Sequence, residues 1–167
     1  MTRFGYAMSA YFAAMATVVT AFVHPSPRLI WNASASVPIG LYSLNSGGLP
    51  RVGSLVAVTP PSLLADYMAR RHYLPLGLPL LKHVAARGGQ RVCRRGDRIL
   101  VDDRAIGRAL VRDRRGRPLP VWSGCVRLAS DQIFVMNAGV ADSFDGRYFG
   151  ALPAAAIAGR LTAIWVR

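Results

Sequence analysis

From Phe4 to Val23 no residue carries a charge. At about 1.5 Å of rise per residue, such a run forms a helix about 30 Å long, the thickness of a bilayer's hydrocarbon layer. The pattern predicts a transmembrane anchor. Ala7, Ser9, Ala10, Ala13, Ala14 and Ala16 leave room for close helix contacts, while Tyr6, Tyr11, Phe12 and Phe22 supply bulk. A cleaved signal peptide is the competing reading, because Ala33-Ser34-Ala35 is an A-x-A site, yet that site falls about ten residues beyond the apolar run. A retained single-pass anchor over residues 1–26 is expected, followed by one domain over 27–167. Arg3 and the amino terminus mark the leading side, with His24 and Arg28 trailing, so the N-terminus is expected in the cytoplasm and the domain outside.

Beyond the anchor the apolar period shortens to two. Gly40 to Leu44 and Gly53 to Val58 read as strands separated by the turn residues Asn45-Ser46-Gly47-Gly48. Pro60-Pro61-Ser62 opens a short helix with Leu63, Leu64, Tyr67 and Met68 on one face and Arg70 and Arg71 at its end. Leu80 to Ala86 is an apolar strand interrupted only by Lys82 and His83. By alternation Leu80, Lys82 and Val84 share a face, so a core under the two apolar residues also receives the lysine. Arg98 to Val101 and Arg104 to Ile106 flank Asp102-Asp103 as a hairpin. Gln132 to Met136 reads as a buried strand, Ala141 to Gly150 as a loop, Pro153 to Ala158 as helical turns ending at Gly159, and Leu161 to Val166 as a closing strand.

Composition sharpens the picture at three points. The net charge of +13 calls for an anionic partner or surface, either acidic lipid or nucleic acid. Between Arg87 and Arg117 the arginines lack interleaved aromatics, which favours a solvated hairpin touching lipid and gives no reason to expect nucleic acid. All eight acids are aspartates, and Lys82 is the single lysine among 21 basic residues. Arginine stays protonated in a protein and lysine need not, so one retained lysine invites a chemical reading. An ammonium buried among leucine and valine loses hydration and can become a neutral base near pH 7, whereas a lysine at a strand end can instead snorkel to water. The two cysteines, Cys93 and Cys125, are too few for a zinc site without histidine, and the three histidines lack ligand spacing. In an oxidising compartment they would form a disulfide, and otherwise remain buried thiols.

Between anchor and first strand, Asn32 to Tyr42 carries Ser36 beside Pro38 and Gly40. Proline fixes its own φ and extends Val37, so Ser36 sits on a stiff, exposed bend, a place where a nucleophile is useful and an ordinary turn is also at home.

Three stretches together resemble the membrane-bound Ser/Lys signal peptidases, most closely the TraF-type branch that processes pilin precursors in conjugative transfer. Asn32 to Tyr42 is similar to that branch's Asn-x-(Thr/Ser)-x-Ser-x-Pro-x-Gly-Leu-Tyr element; Leu81-Lys82-His83-Val84-Ala85-Ala86 followed by Gly89 is similar to the general-base element; Asp142 to Gly150 is similar to the Asp-Ser-Arg-Tyr-x-Gly box. The resemblance implies a mainly β, signal-peptidase-like catalytic domain behind one transmembrane helix. It implies Ser36 as nucleophile and Lys82 as base, Ser34 as an oxyanion-hole hydroxyl, Ser143 as a hydroxyl orienting the lysine, and Asp145 and Arg147 as supports of the active-site loop. Two departures stand out: Asn137-Ala138-Gly139 replaces the Gly-Asp-Asn of the housekeeping enzymes, which favours the conjugative branch, and Gln90 follows Gly89 where Asp is usual. No metal or cofactor is implied. The expected substrate is an exported precursor, a pilin above all, with small residues near the cleavage site, cut at the outer face of a bacterial inner membrane beside the conjugation machinery. A general signal peptidase and a non-catalytic, membrane-tethered basic module are the alternatives.

Overall fold

The computed structural model describes residues 2–22, 28–48 and 50–167. Helix α1 spans Arg3–Phe22, and its large side chains, Phe4, Phe12 and Phe22 among them, are exposed. Among the described residues no helix is long and apolar enough to cross a membrane, so α1 does not by itself meet the expectation of a transmembrane anchor. Its polar residues are Arg3, Tyr6, Ser9, Tyr11, Thr17 and Thr20. The hydroxyls of Ser9 and Thr17 turn back to the carbonyls of Gly5 and Ala13, each at 2.9 Å. The expected boundary at 26/27 and His24 lie outside the described residues.

The elements that follow are β1 (Leu29–Asn32), β2 (Gly40–Asn45), β3 (Leu55–Val58), α2 (Ser62–Arg70), β4 (Leu80–Arg87), β5 (Arg91–Arg95), β6 (Arg98–Val101), β7 (Arg104–Arg108), β8 (Gly124–Arg127), β9 (Gln132–Val135), α3 (Gly146–Phe149), β10 (Leu152–Pro153) and β11 (Ile157–Val166). Their pairings are antiparallel and build a seven-stranded sheet in the order β1-β2-β11-β3-β4-β9-β10 and a four-stranded sheet in the order β7-β6-β5-β8. The chain is mainly β, as its alternating pattern predicts.

Strand β4 sits between β3 and β9, so both its edges are hydrogen-bonded, and apolar clusters pack on both its faces. Leu80 and Val84 join Val56, Val58, Met68, Ile133 and Val135 in one core, while Leu81 points the other way to Val37, Tyr42, Ala57 and Leu161. This is the period-two division expected of a strand buried on two sides. The hairpin turn also forms where expected, with Asp102 and Asp103 both at positive φ between β6 and β7.

Four expectations need correction. The arginine-rich middle is no simple solvated hairpin: β5 and β8 extend the β6–β7 hairpin into a four-stranded sheet, Val92, Cys93 and Ile99 are buried, and Arg94 is only 5% exposed. Residues 154–156 make a single 3-10 turn, and β11 already begins at Ile157, because pairing with β3 outweighs the helix preference of the alanines. Residues 146–149, expected in a loop, form a helical turn capped by Asp145. Leu63, placed on the core face of α2, is 83% exposed, and that face is carried by Leu64, Tyr67 and Met68.

At the junction of β1, β2 and β11, only glycine fits. A Cβ on Gly40 would stand 2.0 Å from the Trp165 carbonyl oxygen and 2.8 Å from the Val166 Cα, both main-chain atoms that cannot rotate away. Gly40→Ala is therefore expected to destabilise the domain by about 3 kcal/mol, near the upper end for overpacking, read as a lower urea midpoint at unchanged slope. An unchanged midpoint would show that the edge of this sheet gives way freely.

Candidate active site

Lys82 is delivered by the centre of β4 and is only 3% exposed. Burial pushes its ammonium down from the ordinary value of 10.5 to about 8, with the Asp145 carboxylate pulling upward and the Arg147 guanidinium adding to the depression. Its Nζ donates to Ser143 Oγ at 2.9 Å, and Ser143 is itself 3% exposed. The lysine does not snorkel: it ends on a buried hydroxyl.

Ser36 lies on the bend between β1 and β2, and two buried asparagines hold that bend. Asn32 Nδ2 donates to the carbonyls of Ser34 at 2.8 Å, Val37 at 3.1 Å and Pro38 at 3.0 Å, and its Oδ1 accepts the Ser34 N–H at 3.0 Å. Tyr42 Oη adds a 2.6 Å bond to the Pro38 carbonyl. From the opposite side, Asn137 Nδ2 donates to the Ser36 carbonyl at 2.7 Å and to the Leu81 carbonyl at 3.2 Å, while its Oδ1 accepts the His83 N–H at 3.0 Å. One amide thus ties the Ser36 bend to the strand that carries Lys82.

The Ser34 hydroxyl donates to Ser36 Oγ at 3.2 Å. Ser34, Ser36, Lys82 and Ser143 all line one cavity of about 340 Å3, and a second, more open cavity adjoins Ser36 between Pro38 and Asn137. No hydrogen bond joins Ser36 Oγ to Lys82 Nζ among the described residues, since the amine bonds Ser143 and the hydroxyl bonds Ser34. Catalytic bonds in unliganded sites are often long and tighten with substrate.

Behind the cavity, Asp145 and Arg147 form a buried pair, 0% and 1% exposed. Arg147 Nε meets Oδ1 at 2.9 Å and Nη2 meets Oδ2 at 2.8 Å, a bidentate fork. The remaining guanidinium protons reach the carbonyls of Ala141 at 3.1 Å, Val140 at 2.7 Å and Ser143 at 3.3 Å, so this one side chain gathers the loop that presents Ser143. Asp145 also accepts the Asn137 N–H at 3.0 Å. Arg94 Nη1 in turn donates to the Arg147 carbonyl at 2.7 Å, coupling the small sheet to the site. That sheet carries Cys93 and Cys125 opposite each other on β5 and β8, with their sulphurs bonded at 2.05 Å.

Ser34, Ser36, Lys82, Ser143, Asp145 and Arg147 thus converge, whereas the Cys93–Cys125 bond lies in the second sheet. The roles of Asn137 and Arg94 were not read from the sequence. Asn137 is the residue that departs from the housekeeping pattern, and that departure was the available signal.

A β-rich domain that buries a lysine against a hydroxyl, in a cavity shared with a serine on a Pro-Gly bend, defines the class of the signal-peptidase-like proteins. The chain belongs to the signal peptidase family, peptidase S26, whose family model matches residues 1–166. Its relatives include a probable conjugal transfer protein TraF from Sinorhizobium fredii, 38% identical over 138 residues that cover 77% of this chain and 72% of that protein. The conjugal transfer protein TraF of Agrobacterium fabrum is 33% identical over 138 residues, covering 77% of each chain, and the plasmid transfer protein TraF of Escherichia coli is 30% identical over 131 residues, covering 72% and 73%. Among solved structures, a signal peptidase I from Enterococcus faecalis matches 72% of this chain and all of its own at a TM-score of 0.41 and 17% identity.

Proposed function

We propose that this chain is a serine endopeptidase of conjugative transfer, with Ser36 as nucleophile and Lys82 as general base, cleaving an exported precursor such as a pilin. The observation that carries the reading is a lysine at about 8, buried against Ser143 in the cavity that Ser36 also lines. In the reaction, Ser36 Oγ bonds to the scissile carbonyl carbon as its proton passes to Lys82 Nζ. The carbonyl oxygen becomes an oxyanion beside the Ser34 hydroxyl and the Ser36 N–H. Collapse breaks the C–N bond, Lys82 returns the proton to the departing amine, and an ester on Ser36 remains. Water, or the bound peptide's own amine in a cyclisation, then attacks that ester and frees the Ser36 hydroxyl. In the family's manner, small side chains are expected beside the scissile bond.

The exposed aromatic side chains of α1 and the uncharged run from Phe4 onward hold the domain at a lipid bilayer. The Cys93–Cys125 bond suits the oxidising outer face of an inner membrane. The TraF relatives favour a dedicated conjugation substrate over the broad clientele of a general signal peptidase.

The test is a pH profile with trapping of the ester. Only the neutral amine accepts the serine proton, so kcat/KM should rise with pH through an apparent value near 8 and level off above it. Mass spectrometry of quenched reactions should place the acyl group on Ser36. A profile flat between about pH 6 and 10, or acylation elsewhere, would remove the mechanism.

A further inference from the structure

The cavity that Ser36 and Lys82 line is also walled by Arg71, Arg114, Arg115 and Arg117, against two carboxylates, Asp113 and Asp142. Both carboxylates are already engaged. Asp113 bonds Arg117 through a 2.7 Å contact and accepts the N–H groups of Arg115 and Arg117, each at 2.9 Å, while Asp142 pairs with Arg114. Asp113 is held well below the ordinary carboxylate range by these bonds and the Tyr73 hydroxyl, against the opposing pull of its desolvation, so it stays charged and committed.

Two guanidinium groups are left without a carboxylate. Arg71 lies over the Tyr67 ring at 4.8 Å and places Nη1 2.7 Å from the Pro118 carbonyl, and among the described residues neither it nor Arg115 makes an ion pair. Next to Arg71, His72 takes the left-handed backbone, φ 56°, that ends α2: its N–H reaches the Ala69 carbonyl at 3.0 Å and the Tyr73 N–H the Met68 carbonyl at 2.9 Å, so the helix stop fixes where Arg71 leaves the helix. Acyl transfer between Ser36 and Lys82 gives these cations no task.

We propose that this wall is a subsite for a carboxylate carried by the peptide substrate, with Arg71 and Arg115 as its counter-charges. The inference rests on the peptidase reading, because the scissile carbonyl must sit at Ser36 and the anion that reaches the same cavity belongs to the same chain. Guanidinium forks match a carboxylate geometrically and remain charged at every working pH. The carboxylate comes either from an acidic side chain near the scissile bond or from a free C-terminus a few residues beyond it.

Both sources can be separated with peptides of about ten residues that keep alanine at the first and third positions before the scissile bond. One pair exchanges a flanking Glu for Gln; a second exchanges the C-terminal acid for the amide. With the full chain in detergent, neutralising the operative carboxylate should raise KM about tenfold with little change in kcat. In Arg115→Gln the paired peptides should converge to within about twofold, and in Arg71→Gln likewise. The Glu/Gln pair responding alone assigns a side chain, and the acid/amide pair responding alone assigns a chain end. Arg115 is exposed and its guanidinium makes no ion pair among the described residues, so its replacement reads the idea even where Arg71→Gln, which loses the Pro118 contact, fails to fold.

The same discrimination must appear in fluorescence-anisotropy affinities for the Ser36→Ala variant, which need no cleavage. Equal affinity of acidic and neutral peptides, or a preference that survives replacement of both arginines, overturns the subsite. Discrimination that persists while cleavage does not depend on Ser36 overturns the peptidase reading and leaves the subsite standing.

Discussion

Lys82→Met should abolish cleavage while making the domain more stable. The loss is expected to be at least about 10^4-fold in kcat/KM, since a serine without its base has the reactivity of an ordinary alcohol. The gain follows from the cost of burial. The folded amine sits at about 8 and the unfolded one at 10.5, so folding buries a cation below pH 8 and strips a proton between 8 and 10.5. That shift corresponds to about 3 kcal/mol of lost stability at pH 7, shrinking as pH rises past 8 and gone above 10.5. Methionine has a similar length and no charge to desolvate. Its one debt is the Ser143 hydroxyl, buried and now without its donor, worth roughly 1 kcal/mol. A net gain of about 2 kcal/mol at pH 7 that fades by about pH 10 is therefore expected in urea midpoints. Ser36→Ala should match the activity loss without the stability gain, because among the described residues Ser36 Oγ hydrogen-bonds only the Ser34 hydroxyl. Activity within tenfold of the parent in Lys82→Met would refute the role of the amine, and a loss of stability at pH 7 would refute the account of its burial.

Such a residue explains why part of the site could be read before the fold was known. Lys82 is visible in the sequence because period-two alternation places it with Leu80 and Val84, and burial of those two drags the amine inward. The Asp102-Asp103 turn was legible for a similarly local reason: short polar residues tolerate positive φ. Other elements depend on partners distant in the chain. Strand β5 reads as a charged run, yet Val92 is buried against Ala86 and Phe134 of the larger sheet and Cys93 is bonded to Cys125. Arg94 looks like its exposed neighbours, and the carbonyls of Pro120 and Arg147, 26 and 53 positions away, draw it inward. Strand β1 has four residues and no alternation, and it exists because β2 offers it a free edge. Asn137 acts on Ser36 across 101 positions. Nothing local to an asparagine announces such a contact.

The Asp145–Arg147 pair was hardest to weigh, because carboxylate and guanidinium two positions apart usually make a surface contact of little energetic consequence. Here the intervening Gly146 starts α3 with Asp145 as its N-cap, which turns both side chains inward. Asp145→Ala should therefore cost about 3–5 kcal/mol, because it strands a guanidinium in the interior and removes the acceptor of the Asn137 N–H. Against a typical domain stability of about 5–15 kcal/mol, the variant is expected to be marginal at room temperature. Asp97→Ala supplies the contrast: its 3.2 Å pair with Arg108 is solvent-exposed, and removal should shift stability by less than about 0.5 kcal/mol. Damage at Asp145 should also reach the chemistry. Arg147 gathers the carbonyls of Val140, Ala141 and Ser143, so a guanidinium drawn toward water loosens the loop that sets Ser143 against Lys82. Under conditions where the variant remains folded, kcat should fall about 10^2-fold with KM less affected, since the defect is in positioning the base. Replacing both members together, Asp145→Leu with Arg147→Met, should restore part of the stability, because neither buried charge is then left alone, while kcat stays low. A double variant no more stable than Asp145→Ala would mean that the carbonyl contacts of Arg147, and not its ion pair, hold this region together.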